Sequence, residues 1–213
     1  MSIFENFKEK LGFVDKQIKG QDIDIDETVS EEIDFWTDLD ESDSAAYSRL
    51  EKYWNNINVT NWNPNTPWSG AFVSYILRDH GFKGDGLHAN YVEDVIDGQY
   101  PGWQAYNVPF NTYGENWIEV NVGDVFVKSR PGGFKAGHGD VVYRVDVPGQ
   151  KAYLIGGNIG DTLSTHVLNL RDGMARFSGD SSNDYDVVLK REKKSHGWIT
   201  IALAGGLAWM FLR

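Results

Sequence analysis

The sequence predicts an α+β fold in which helices come first and an antiparallel sheet follows. Hydrophobic residues recur at helical spacing between about residues 44 and 98, and with a period of two from about residue 122 onwards. Helices followed by a run of strands are typical of α+β domains. With 213 residues, of which 41% are hydrophobic, the chain is long enough for one domain with a substantial core.

Composition and charge exclude several classes of function. The chain has 20 Lys and Arg residues against 31 Asp and Glu residues, a net charge of −11. Binding to a phosphate backbone needs a basic surface, so we expect no nucleic-acid partner. The absence of cysteine excludes disulfides, cysteine-ligated metals and a thiol nucleophile, and we expect no metal and no other cofactor.

The acidic excess lies at the N-terminus. Residues 1–50 hold 14 acidic and 5 basic residues, and residues 1–43 form an acidic N-terminal segment with scattered apolar side chains. One interpretation is a solvated lead-in; the other is a docking segment whose Phe35 and Trp36 insert into a partner. The opening residues lack the apolar stretch of a signal peptide, so we expect none.

Three helices are expected next. The first starts near Ser44, because Tyr47, Leu50 and Trp54 fall on one helical face. The second is a buried helix with Thr66 as its N-cap, Pro67 at its first position, and Gly81 as the residue that ends it. The third spans residues 87–98, and residues 99–117 are expected to be irregular.

Five strands follow the helices. Each predicted strand alternates apolar and polar residues and is bounded by Gly, Pro, Asn or Asp. They cover residues 122–128, 139–147, 151–155, 164–170 and 185–190. Together with the three helices, these strands define a predicted domain of residues 44–192.

The remaining residues, 193–213, form an apolar C-terminal tail. Residues 198–212 carry no charge, and the glycine pair Gly205-Gly206 lies in their middle. We expect either two buried strands with a turn at these glycines or a short buried helix. Because about 20 apolar residues are needed to span a bilayer, a membrane anchor of 15 residues is the alternative, with the tail in contact with a membrane.

Three polar positions suggest catalysis by a serine nucleophile. Ser69 lies in the first turn of the predicted buried helix, where free backbone N–H groups stabilise an oxyanion. A serine needs a base, and His138 opens a strand between two glycines; Asp140 shares its face. Asn158 follows the next strand, in the place of a residue that orients the imidazole.

Each of these residues also has a simpler interpretation. A serine at a helix start often serves only as a cap, and an Asn after two glycines is usually part of a turn. A metal held by His138, Asp140 and His166 is a further alternative, although a His-x-Asp pair is a sparse metal motif.

Taken in order along the chain, these motifs resemble the papain-like cell-wall hydrolases, the NlpC-type and CHAP (cysteine, histidine-dependent amidohydrolase/peptidase) domains. The resemblance covers residues 44–192. The motifs that carry it are Trp68-Ser69, Gly123-Asp124-Val125, Gly137-His138-Gly139-Asp140-Val141-Val142 and Gly156-Gly157-Asn158. The chain is most similar to an uncharacterised, often phage-encoded branch with Pro-Trp-Ser at the helix and a His-x-x-Tyr motif after it, here His88 to Tyr91.

The resemblance implies a papain-like fold and a role in cleaving peptidoglycan. It implies Ser69, His138, Asn158 and Asp140 as catalytic residues, with Ser69 where the family has cysteine. It also places three residues at the substrate cleft: Trp68, His88 and Tyr91. A serine cannot rest as an anion beside a histidine as a cysteine does, so Ser69 would need His138 as a general base during attack.

Two functions from different classes follow. The first is a peptidoglycan amidase or endopeptidase whose partner is a cell-wall peptide and which acts from a virion or after delivery to the periplasm or cell wall. The second is an inactive structural or cell-wall-binding component of a phage particle that keeps the hydrolase fold. In the second, the acidic N-terminal segment and the apolar tail bind other phage structural proteins.

Overall fold

Four α-helices precede the sheet in the structure, a computed structural model that describes residues 23–107, 116–130, 133–177, 185–192, 199–203 and 206–210. The helices are α1 (Asp26–Trp36), α2 (Ser44–Asn56), α3 (Ser69–Ile76) and α4 (His88–Ile96), with a 3₁₀ turn at Arg78–His80. The strands are β1 (Trp103–Asn107), β2 (Asn116–Glu119), β3 (Val125–Arg130), β4 (Gly133–Asp146), β5 (Lys151–Gly156), β6 (Ser164–Asn169), β7 (Met174–Phe177), β8 (Val187–Arg191), β9 (Ile199–Leu203) and β10 (Gly206–Met210).

Six strands form the main sheet, in the order β1-β8-β3-β4-β5-β6, and every neighbouring pair is antiparallel. Strands β2 and β7 form a separate pair, and so do β9 and β10. The molecule is therefore an α+β protein, as the order of hydrophobic patterns predicts. The six-stranded antiparallel sheet is the frame on which the site is built.

Both faces of the main sheet are covered. Val125, Val127 and Val141 point to one face and pack in the core formed with the helices. Phe126 and Val142, which alternate with them, point to the other face and pack in a second core. Strand β4 thus presents its odd-numbered residues from 139 to 141 to the helices and its even-numbered ones to the second core.

Helix α1 belongs to the helix-side core. Trp36 is buried, its ring stacks on that of Trp68 with centroids 4.8 Å apart, and its indole nitrogen donates a 2.8 Å hydrogen bond to the hydroxyl of Tyr53. Residues 23–36 are therefore neither a solvated lead-in nor a free docking segment, and both interpretations are wrong for them. The aromatic side chains are used within the chain itself.

A buried carboxylate fastens α1 to α2. Glu32 is fully buried, and it accepts hydrogen bonds from Arg49 at 2.9 Å and from the Tyr53 hydroxyl. Burial raises the pKa of Glu32, although the bonds from Tyr53 and Arg49 oppose that rise. One carboxylate of this acidic segment is thus buried in the core, where its hydrogen bonds connect α1 to α2.

The predicted helices are present, with one shifted start. Helix α2 begins at Ser44 as expected, whereas α3 begins at Ser69, because Trp68 has a backbone outside the helical region, at φ −106° and ψ 5°. The assignment of Pro67 to the first helical position is therefore wrong. Gly81 adopts φ 72°, the left-handed conformation that ends a helix, after the intervening 3₁₀ turn.

The five predicted strands are all present, strand β1 lies within residues 99–117, and β2 begins there and ends at Glu119. Strand β1 pairs with β8, and β2 pairs with β7. The expectation of an irregular segment was wrong because these strands are formed by pairing with distant residues, which local pattern does not reveal.

In the C-terminal tail the backbone forms the paired strands β9 and β10, which agrees with the two strands of the first alternative. The burial of the tail's side chains lies outside what the structure describes. Among the described residues, no helix has the length and apolar character needed to cross a bilayer.

We expect Trp36→Ala to lower the free energy of unfolding by about 3–5 kcal/mol, because it removes a buried ring and its hydrogen bond. Urea denaturation of the full chain measures this. Phe35→Ala is the matched control, since Phe35 is only partly buried, and its loss should be less than half as large. Equal, small losses would contradict the placement of α1 in the core.

Candidate active site

The start of α3 lies unusually close to the loop that leads into α4. A side chain at Gly70 would lie 2.7 Å from the carbonyl carbon of Gly86, so only glycine allows this approach. Ser74 fastens the same loop: its hydroxyl donates to the Gly70 carbonyl at 2.8 Å and accepts from the Asp85 N–H at 3.0 Å. The position of this loop therefore places the first residue of α4 next to the first residue of α3.

Those two residues are Ser69 and His88. The Ser69 hydroxyl lies 2.7 Å from Nε2 of His88, within hydrogen-bond distance. Ser69 is 8% exposed and His88 4% exposed. The hydroxyl also lies at the N-terminus of α3, where backbone N–H groups have no partner within the helix. The arrangement places a hydroxyl, an imidazole and the N-terminus of a helix together, which are the groups that acyl transfer by a serine requires.

Tyr91, one turn along α4, contacts the other imidazole nitrogen. Its hydroxyl forms a short hydrogen bond with Nδ1 of His88. Burial raises the pKa of Tyr91 well above its ordinary value, and the charge of Asp140 raises it further. Tyr91 is thus a neutral phenol, and it orients His88 without carrying a negative charge.

Gly139 of β4 allows His88 and Tyr91 to reach the sheet. A Cβ at this position would lie 2.6 Å from the Tyr91 hydroxyl and 2.8 Å from Nδ1 of His88. The neighbouring residue, His138, points to the other face of β4, yet its ring centroid lies only 6.0 Å from that of His88. Two polar clusters therefore meet across the backbone of one glycine.

The second cluster is centred on Asp140, which is fully buried. Its Oδ1 lies 2.9 Å from Nε2 of His138. Its Oδ2 accepts a hydrogen bond from the Tyr185 hydroxyl at 2.8 Å and lies 3.3 Å from Nε2 of His166. Three side chains from three segments thus share a single carboxylate.

Burial opposes ionisation of Asp140, but the hydrogen bonds and charges of His138 and His166 outweigh it and hold its pKa below the ordinary range. The same carboxylate and burial raise the pKa of Tyr185. Asp140 is therefore an anion and Tyr185 a neutral donor at neutral pH.

The structure brings Ser69, His88 and Tyr91 together on the face of the sheet that the helices cover. It brings His138 and Asp140 together on the opposite face of the sheet. The hydrogen bond of Ser69 goes to His88, the residue assigned to substrate binding, and not to His138, the expected base. Asp140 lies behind the His138 ring.

Asn158 lies in the turn after β5 with φ 57°. Trp68 is fully buried and donates to Glu41 at 2.9 Å.

The sequence grouped His166 with His138 and Asp140 only as a metal ligand, and it did not assign Tyr185 to the site. His166 lies opposite Leu154 in the register of β5 and β6, and Tyr185 precedes β8. The period-two pattern places the polar His166 in line with buried Leu168, but no local pattern indicates that Tyr185 contacts Asp140.

Within the described residues, no group of three His, Asp or Glu side chains has an arrangement suited to a metal ion. His138 and His166 contact different oxygens of Asp140. Both histidines therefore act as partners of the carboxylate, and the metal alternative has no support in this geometry.

Comparison of the chain with protein-family models, with curated proteins and with solved structures gives no match.

We expect Asp140→Asn to lower the free energy of unfolding at pH 7 by about 3–5 kcal/mol, because it leaves the donors around it without their anion. A carboxyl whose pKa is lowered by folding contributes stability above its ordinary value of 3.8 and loses it as the pH falls further. The loss relative to the unsubstituted protein should therefore shrink below about pH 4.

Urea denaturation at a series of pH values measures that difference. Asp97→Asn is the matched control, because Asp97 is exposed, and it should change stability by less than about 0.5 kcal/mol. A loss of the same size at every pH would contradict the assignment of an ionised Asp140.

Proposed function

We propose that the protein is a serine-dependent hydrolase of amide bonds with a papain-like fold and that peptidoglycan peptides are its substrates. The observation that carries the proposal is the 2.7 Å contact between the Ser69 hydroxyl, at the N-terminus of a buried helix, and Nε2 of His88. The resemblance of the sequence motifs to cell-wall hydrolases supports the choice of substrate.

The reaction proceeds by acyl transfer. The Ser69 oxygen attacks the carbonyl carbon of the amide while its proton passes to Nε2 of His88. The oxyanion is stabilised by the free N–H groups at the start of α3. The amine then leaves with the proton from His88, and water, activated by the same nitrogen, hydrolyses the acyl-serine.

This role requires one of two proton arrangements. In the reactive one, Ser69 donates to Nε2, and Nδ1–H of His88 donates to the Tyr91 oxygen. In the other, Tyr91 donates to Nδ1, and Nε2–H donates to Ser69, so the ring has no lone pair for the serine proton. Removing the Tyr91 hydroxyl distinguishes the two arrangements.

A second candidate function is an inactive binding or structural component with the same fold. The observation that favours it is burial: His88 and Tyr91 are almost completely covered, and Nδ1 of His88 lies within reach as the acceptor that the buried Tyr91 hydroxyl needs. In that state the Ser69–His88 contact is part of the packing between α3 and α4.

Incubation of the full chain with purified peptidoglycan tests the enzyme directly, through the release of new amino groups. Ser69→Ala should lower the rate by at least about 10³-fold, and His88→Gln by a similar factor, because both remove the nucleophile–base pair. Ser48→Ala is the control, since Ser48 is exposed on α2, and it should retain full activity. Equal rates for the unsubstituted protein and Ser69→Ala would refute the proposal.

Ser69→Cys tests the base without a substrate. Because the chain has no cysteine, alkylation of this variant reports on position 69 alone. A thiol at a helix N-terminus beside a histidine should react with iodoacetamide at neutral pH faster than a free cysteine. Adding His88→Gln should slow the reaction by about tenfold or more, and adding His138→Gln should slow it less.

Tyr91→Phe in the same Ser69→Cys background identifies the proton arrangement. If Nδ1–H donates to Tyr91, alkylation slows, since the ring loses its orienting partner. If Tyr91 donates to Nδ1, alkylation becomes faster, since His88 is released to accept the thiol proton. The second result, together with no release of amino groups by the unsubstituted protein, would establish the binding component instead.

A further inference from the structure

The cluster around Asp140 extends from the buried site to the protein surface. The side chain of His166 is 38% exposed, whereas those of His138 and Asp140 are 3% and 0% exposed. Nε2 of His166 lies 2.6 Å from the Tyr185 oxygen and 3.3 Å from Oδ2 of Asp140. A continuous series of hydrogen-bonding groups thus connects solvent to the ring of His138.

The positions of the protons in this cluster follow from its geometry. The Tyr185 hydroxyl donates to Oδ2 of Asp140, so its proton is not available to His166. At 2.6 Å from the Tyr185 oxygen, Nε2 of His166 must therefore carry a proton and donate it. The second nitrogen, Nδ1, is where His166 gains a proton when it becomes charged.

Tyr185 donates to Oδ2, and Nε2 of His166 lies 3.3 Å from the same oxygen, which leaves Oδ1 directed at His138. A carboxylate whose one oxygen is held in this way has a fixed orientation, and its other oxygen then fixes the ring that it contacts. Removal of either Tyr185 or His166 should loosen the bond between Oδ1 and Nε2 of His138. The position and charge of Asp140 are therefore set by His166 on β6 and by Tyr185, which precedes β8.

Among the residues that the structure describes, few charged or titratable groups face this cluster. Strand β4 contributes Asp140 and His138, and β3 contributes Lys128, whose Nζ lies 5.6 Å from the centroid of the Tyr185 ring. Strand β5 places the apolar Leu154 opposite His166. Among these groups, the partly exposed His166 is the one that both reaches solvent and lies beside Asp140.

We propose that His166 and Tyr185 are positioning residues that hold Asp140 on His138 and that His166 transmits the pH of the solvent to this pair. When Nδ1 of His166 takes a proton, the positive charge of the ring attracts the Asp140 carboxylate, which also binds His138. The bond between Asp140 and His138 then weakens, and the ring nearest to His88 changes its environment. The consequence for catalysis rests on the proposed function; the coupling of the two histidines does not.

Nitrogen NMR of the imidazole rings in the full chain tests the coupling. As the pH is lowered, the His138 resonances should move in a step that coincides with the titration of His166. In His166→Gln, which keeps an N–H donor but cannot become charged, that step should disappear. Thr165→Ala, at an exposed neighbouring position on β6, should leave it unchanged. The absence of such a step in the unsubstituted protein would overturn the proposal.

Tyr185→Phe tests the positioning role in the same experiment. Loss of the donor at 2.8 Å should displace the resonance of Nε2 of His138 at every pH. His80, whose Nε2 lies 2.9 Å from the Asp24 carbonyl, provides an internal reference that should not move. An unchanged His138 spectrum in a folded Tyr185→Phe protein would contradict the role of Tyr185.

The rate of amino-group release from peptidoglycan against pH extends the test to function. His166→Gln should retain the maximal rate but lose one step of the profile, and His166→Ala should lower the rate about tenfold at all pH values. A purely structural His166 would give His166→Gln an unchanged profile. If the unsubstituted protein releases no amino groups, the hydrolase fails, and the NMR titration still decides the coupling.

Discussion

The site depends on the close approach of backbone segments at positions where glycine leaves no side chain. At Gly70, helix α3 contacts the loop before α4, and at Gly139, α4 contacts strand β4. Each approach is closer than a Cβ atom allows. The Ser69–His88 contact and the contact of His88 with the sheet both follow from these approaches. The geometry of the site therefore depends on the two glycines as much as on its polar side chains.

In the second core, two buried carboxylates have pKa values that their surroundings shift in opposite directions. Burial raises the pKa of Asp124 to about 6, even though Lys190 and the backbone of Asn121 lower it. At Asp140 the donors outweigh burial and lower the pKa. Asp124 joins β8 to the turn before β3 through Lys190, a structural ion pair. Asp140 instead contacts the side chains of His138, His166 and Tyr185, all of which can titrate.

The fold class and the site differ in how far the sequence determined them. The change of hydrophobic period predicted α2, α3, α4 and five strands, because each depends on local residues, whereas α1 was not predicted in the acidic segment. Strands β1, β2 and β7 were not predicted either, since they are defined by pairing with distant residues. The sequence shows a glycine at position 139, but which side chain approaches it depends on the loop held by Ser74.

The same distinction explains the residues of the site. Ser69 was found because a helix start can be recognised in sequence, and Asp140 because period two places it beside His138. The partner of Ser69 was assigned to His138 on chain order, whereas the alternation along β4 directs His138 to the opposite face. The His-x-x-Tyr motif held the needed signal, because His88 and Tyr91 are one helical turn apart and lie on one face.

The two faces of β4 are linked by the field of Asp140. Tyr91 is neutral, so an imidazolium formed at His88 gains no ion pair from its orienting residue, unlike the histidine of a serine–histidine–aspartate triad. Yet the charge of Asp140 raises the pKa of Tyr91, and its field therefore extends through the strand to the helix face. A positive charge formed on His88 in the proposed reaction would lie within that same field, because His88 contacts Tyr91. With no side chain at Gly139, the carboxylate can act on the Ser69–His88 pair across the sheet without touching it.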